Sequence, residues 1–229
     1  MSYKPWCREL RRKSKVCIYM IKTKHTILYI HGMGGGSDSR IPSILRDHFS
    51  HEVLVICHTY SFDPEVAREQ ISSWVEEYRP SLIIGESLGS LHALRIYELP
   101  IILVSPALNT PFYFNLLSYL TWIPGVSGLF AYIYKPREGD RQSMNFSRSV
   151  LKKYRLHGRR ALEYSRYSDG NLYAFFGVRD HYRRSGVVSV RKWKKLFGET
   201  YTLYDGTHFM EEEYIHGLLI PKIQQFLNL

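Results

Sequence analysis

Leu82-Ile83-Ile84-Gly85-Glu86-Ser87-Leu88-Gly89-Ser90-Leu91-His92-Ala93-Leu94 carries the reading from which the rest of the chain follows. Leu82 to Ile84 is a short apolar run of the kind that forms a strand buried on both faces, and Leu88 to Glu98 has helical character. Between them, Gly85 and Gly89 bracket Ser87 in a G-x-S-x-G turn. A turn this tight leaves no room for a side chain at either glycine, because it would meet the neighbouring strand or helix. The serine is thereby raised in a strained conformation above the C-terminal edge of a sheet, next to a helix start that favours negative charge. The competing reading is a Gly-Ser turn that only links strand to helix.

Working outward, apolar runs at Ile27 to Ile30, Val53 to Cys57, Ile101 to Val104, Leu172 to Phe176 and Tyr201 to Tyr204 predict five further strands. Helical patterns separate them at Pro64 to Tyr78 (Asp63 as N-cap), Val187 to Phe197 and Glu212 to Leu227. Alternation of this kind predicts an α/β fold with a doubly wound, mostly parallel sheet in a single domain spanning 1–229. An extra strand at Val16 to Ile21 is expected to pair with Ile27 to Ile30. Residues 1–19 read as a basic N-terminal arm, and 106–171 as a lid or cap insertion, far longer than a crossover helix requires. The first part of that insertion, Pro111 to Tyr134, is dense in aromatic residues, which predicts an apolar acyl pocket with Phe114 and Trp122 in its wall; simple packing of the insertion on the core is the equal alternative.

A serine hydroxyl needs a base to take its proton, and the base needs a carboxylate to hold its tautomer. Asp180 follows the strand Leu172 to Phe176 and His208 follows Tyr201 to Tyr204, so both fall at strand ends in the chain order Ser, Asp, His. Asp205 is the rival acid, disfavoured because it shares a strand end with His208; His181 is a weaker rival base. The oxyanion requires backbone N–H donors, expected from Leu88 and from Met33 in the glycine loop His31-Gly32-Met33-Gly34-Gly35-Gly36. That loop lacks the Lys-Ser/Thr of a phosphate loop. His31 is expected to brace the loop, and Glu86, which could tune His208, is expected instead to be exposed or capping. His48, His51 and His58 show no ligand spacing, so neither a metal nor another cofactor is expected.

Composition limits the setting. With 45% hydrophobic and 23% charged residues the chain is globular rather than disordered or collagenous. No stretch reaches the ~18 apolar residues of a membrane span. Three cysteines without paired spacing, together with the lack of a secretory leader pattern, predict a cytoplasmic location. The net charge of +10 is concentrated in residues 1–24 and 135–166, each +7, so the remainder is −4. Such basic runs are usually solvated faces, and nucleic acid is not expected as the main partner.

The glycine loop after the first strand, the elbow at Ser87, Ser105-Pro106-Ala107, Gly177-Val178-Arg179-Asp180 and Gly206-Thr207-His208 together resemble the α/β-hydrolase superfamily, and in particular the small bacterial YqiA-like serine esterases. The resemblance implies a serine hydrolase that cleaves a small-molecule carboxylic ester or related acyl bond through an acyl-enzyme. Ser87 would be its nucleophile, Asp180 its acid, His208 its base, and Met33 and Leu88 its oxyanion donors. Acyl transfer or thioester hydrolysis would use the same residues. A non-catalytic binding protein using the basic insertion is the alternative of another class.

Overall fold

The computed structural model describes residues 24–96, 98–134, 138–164 and 171–229. The basic arm 1–19 and the expected strand at Val16 to Ile21 lie outside them. Six strands form one sheet: β1 (His25–Ile30), β2 (Val53–Cys57), β3 (Leu82–Glu86), β4 (Ile101–Val104), β5 (Leu172–Gly177) and β6 (Tyr201–Tyr204). All pair in parallel in the order β2-β1-β3-β4-β5-β6. Strand positions alternate between two cores, as a period of two requires. Leu28, Ile30, Ile83, Leu103 and Phe176 face one; Ile27, Tyr29, Ile84, Val104 and Phe175 face the other.

Helices cover both faces. α1 (Arg40–Phe49), with Ile41, Leu45 and Phe49 buried, packs on the second core together with the chain's C-terminal helices. The first core receives α2 (Pro64–Tyr78) and α3 (Gly89–Ala93). The segment between β4 and β5 holds α4 (Thr110–Leu120), α5 (Val126–Ile133) and α6 (Arg148–Tyr164), with α4 packed along α6. α7 (His181–Arg184) and α8 (Val190–Phe197) follow β5, and α9 (Glu212–Tyr214), a π-helical turn (Ile215–Leu219) and α10 (Ile220–Leu227) end the chain. Among the described residues, no helix is long and apolar enough to cross a membrane.

Two expected helix boundaries move, and a third helix keeps its expected span but changes its winding, each for a local reason. The helix expected at Leu88 to Glu98 is α-helical only over Gly89–Ala93 and leaves through i to i+3 turns (Arg95 N to His92 O, 3.1 Å; Ile96 N to Ala93 O, 2.9 Å). Pro100, directly before β4, offers no N–H to a continuing helix and disfavours helical backbone at Leu99, so the chain must leave the helix to enter the sheet. α8 starts at Val190 rather than Val187 because the Ser189 hydroxyl caps it, accepting from Lys192 N. The C-terminal helix widens at Ile215–Leu219, where Pro221 offers no N–H to the preceding turn.

Candidate active site

The strand order reverses beside β1, which pairs with β2 on one edge and β3 on the other. A crevice at such a reversal, outside the carboxyl ends of the strands, is where open α/β sheets bind ligands. Here the loops after β1, β3, β5 and β6 meet around a cavity of about 660 Å³, lined among others by Met33, Glu86, Ser87, Leu88, Phe114, Tyr134, Met144, Tyr182 and His208.

Ser87 sits at φ +50°, a left-handed conformation that costs a non-glycine residue energy and that its surroundings must enforce. They do so by close approach. A Cβ at Gly89 would lie 2.3 Å from the Ile30 carbonyl oxygen, and one at Gly85 would lie 2.8 Å from Ala93 Cβ. The Ser87 N–H bonds to Val104 O at 2.9 Å, fastening the elbow to β4.

The Ser87 hydroxyl Oγ lies 2.9 Å from His208 Nε2, and His208 Nδ1 lies 2.8 Å from Asp180 Oδ2. Asp180 and His208 are both buried, which keeps water from competing for these bonds. The other Asp180 oxygen accepts from the Tyr182 N–H at 2.8 Å, since Asp180 also caps α7. The Tyr182 ring stands edge-on to His208, with centroids 4.6 Å apart. Beneath His208 the loop is held by the Glu211 carboxylate on Thr207 N and by Arg40 on the carbonyls of Phe209 and Met210. Met33 and Leu88 both line the cavity beside Ser87. Among the described residues, neither of their N–H groups bonds to a backbone carbonyl.

The rival residues are elsewhere. Asp205 is exposed and pairs with Arg179 at 3.1 Å, and the His181 ring centroid is 6.1 Å from that of His208. His31 is fully buried, stacks on Tyr60 and bonds through Nδ1 to Gly32 O at 2.7 Å; burial lowers its pKa to about 4, so it braces the loop as a neutral ring.

Two expectations are corrected. Glu86 is neither exposed nor capping: as the last residue of β3 it points to the same face as Ile84 and accepts a 2.7 Å hydrogen bond from Tyr29 on β1. Burial raises its pKa, with Tyr29, His208 and Arg40 opposing the rise. Trp122 is 78% exposed and outside the cavity, because α4 ends at Leu120 and the following turn swings the indole out beneath Arg148. Phe114 does line the cavity, yet it is also packed against Phe62 and Tyr154, so pocket and packing roles coincide in one side chain.

Sequence reasoning missed Gln142. Its side chain is buried between the glycine loop and β2's exit, accepting from Gly34 N at 3.2 Å and donating to Tyr60 O at 3.2 Å, while its own N–H bonds to Gly35 O at 2.8 Å. Nothing in the local sequence marks a lone glutamine in a basic segment. Tyr182 and Arg40 were missed for the same reason: their contacts are made only across loops.

No protein-family model matches the chain, and no curated protein does. Solved structures similar in fold include the monoacylglycerol lipase of Paleococcus ferrophilus, at 18% identity and a TM-score of 0.58 over 89% of this chain and 94% of that one. A highly thermostable carboxyl esterase from Bacillus coagulans, in complex with glycerol, matches at 15% identity and a TM-score of 0.59 over 90% of each chain. One of the epoxide hydrolases of the alpha/beta hydrolases superfamily from metagenomes of hot environments matches at 12% and 0.54 over 89% and 90%. At these identities the likeness is one of fold.

Proposed function

Because the chain has the α/β-hydrolase fold, we propose that it is a serine hydrolase that cleaves a carboxylic ester or related acyl bond through an acyl-enzyme. The observation that carries this reading is the unbroken relay from Ser87 Oγ to His208 Nε2 at 2.9 Å and from His208 Nδ1 to Asp180 Oδ2 at 2.8 Å. A merely structural serine has no need of a strained backbone, a ring nitrogen within bonding distance and a buried carboxylate behind that ring.

In this reading Ser87 Oγ attacks the acyl carbon as its proton passes to His208 Nε2. The imidazolium so formed is stabilised by Asp180, which remains ionised. The carbonyl oxygen becomes an oxyanion facing the N–H groups of Leu88 and Met33, donors already fixed before the reaction. His208 then returns the proton to the departing alkoxide, leaving the acyl group on Ser87. Water, with His208 as base, reverses the sequence and releases the acid. The apolar wall of Phe114, Met144 and Tyr134 would take the acyl chain.

A fluorophosphonate probe tests the reading directly, since it bonds covalently only to an activated serine. Labelling of the wild type, lost in Ser87→Ala, and turnover of p-nitrophenyl esters are the expected results. An unlabelled, correctly folded wild type would refute it.

A further inference from the structure

Of the sixteen large apolar side chains that stand exposed among the described residues, ten fall between positions 112 and 134. α4 buries one face and leaves an apolar one outward. Thr110, Phe114 and Ser118 are buried, while Phe112, Leu116, Tyr119 and Leu120 point outward at helical spacing. α5 likewise exposes Leu129, Tyr132 and Ile133. A contiguous apolar face left in solvent on a helix already packed on its other side marks an interaction surface.

The charges bordering this face are of one sign. Arg148, Lys152, Arg155 and Arg159 recur at helical spacing along α6, the helix against which α4 packs. Two of them lie over outward aromatic rings, Arg148 at 5.3 Å from the Trp122 centroid and Lys152 at 6.0 Å from that of Tyr119. Among the described residues none of the four joins an ion pair. The sequence has no carboxylate between Glu98 and Glu138, nor between Asp140 and Glu163.

We propose that the outward face of α4 and α5, with the basic stripe of α6, docks on an anionic membrane surface. Amphipathic rings and leucines suit the boundary between headgroups and acyl chains, and flanking Lys and Arg suit anionic headgroups. A second copy of the chain fits less well, because a two-fold contact through this face would bring two sets of unpaired cations together. The inner side of α4 supplies Phe114 and Tyr113 to the cavity over Ser87, so docking sets that cavity against the bilayer. The substrate class that follows is an acyl ester of a membrane lipid; this last step rests on the reading of Ser87 as nucleophile, whereas the docking itself does not.

Flotation of the full chain with vesicles tests it. Equal parts phosphatidylcholine and phosphatidylglycerol should carry the protein upward, pure phosphatidylcholine much less, with binding falling as salt is raised. The variant Leu116→Ser/Leu120→Ser and the variant Lys152→Glu/Arg155→Glu should each bind roughly tenfold more weakly or less. Both pairs are exposed, so the variants should keep the wild-type melting temperature and turnover of a water-soluble p-nitrophenyl ester. Absence of binding to the anionic vesicles would overturn the proposal. So would unchanged binding by the leucine variant, which would assign attachment to charge alone, as on the basic residues 1–24. A dimer that those substitutions dissociate would overturn it in favour of self-association. In each of these cases fluorophosphonate labelling of Ser87 still decides the serine reading separately.

Discussion

Asp180→Asn is the most informative single change, because the surroundings dictate how the new amide must lie. One oxygen of Asp180 accepts from the Tyr182 N–H, a backbone donor that cannot be reversed, at 2.8 Å; the other faces His208 Nδ1 at 2.8 Å. An asparagine satisfies Tyr182 only with its carbonyl, which turns its NH2 toward His208. The ring must then accept at Nδ1 and carry its proton on Nε2, where it faces Ser87 and cannot take the serine's proton. Restoring the useful tautomer means flipping the amide and leaving a buried donor facing a donor, at about 2 kcal/mol. The lost carboxylate also withdraws its attraction for the imidazolium, about 4 kcal/mol for charges ~4 Å apart at an effective dielectric constant near 20. Together these come to roughly 6 kcal/mol, or a fall of about 10⁴-fold in kcat. The assay is p-nitrophenyl butyrate turnover at pH 8 or above, with the melting temperature measured alongside. Asp205→Asn, at an exposed pair with Arg179, should stay within about threefold of wild type. Retention by Asp180→Asn of more than about a tenth of wild-type activity, or the reverse ranking of the two variants, would refute the assignment.

Ser87→Ala and His208→Ala should each lower kcat by about 10³-fold or more, and the double variant should lose little beyond either; additive losses measured by steady-state kinetics would separate the two residues. Against p-nitrophenyl esters, kcat/KM should rise severalfold from acetyl to butyryl as methylenes worth up to ~0.8 kcal/mol each enter the apolar wall, and Met144→Ala should flatten that rise. Acid should weaken the fold below neutrality. Burial lowers the pKa of both His31 and His157 from 6.5 to about 4, so their contribution is complete above pH 6.5 and is lost as pH falls toward 4. At pH 5 that loss is on the order of 2 kcal/mol for each ring, and a melting temperature unchanged between pH 7 and pH 5 would contradict it.

Local sequence determined the sheet and the elbow. A strand buried on both faces must be a short apolar run, and an elbow this close to Ile30 O and Ala93 Cβ admits only glycine at 89 and 85, so both features are written in consecutive residues. The placing of Ser87, Asp180 and His208 at three strand ends follows from the same alternation. Tertiary structure decided what depends on contact across loops. Asp180 rather than Asp205 meets His208 because Asp180 caps α7, fixing its carboxylate on Tyr182 N, while Asp205 stands at the surface paired with Arg179. Glu86 turns inward because Tyr29, distant in sequence, stands beside it on β1. The division of the aromatic segment into the inward Phe114 and the outward Trp122 was likewise undetermined by composition, since every ring in it is apolar; only the packing of α4 along α6 sets which side meets the cavity and which meets solvent.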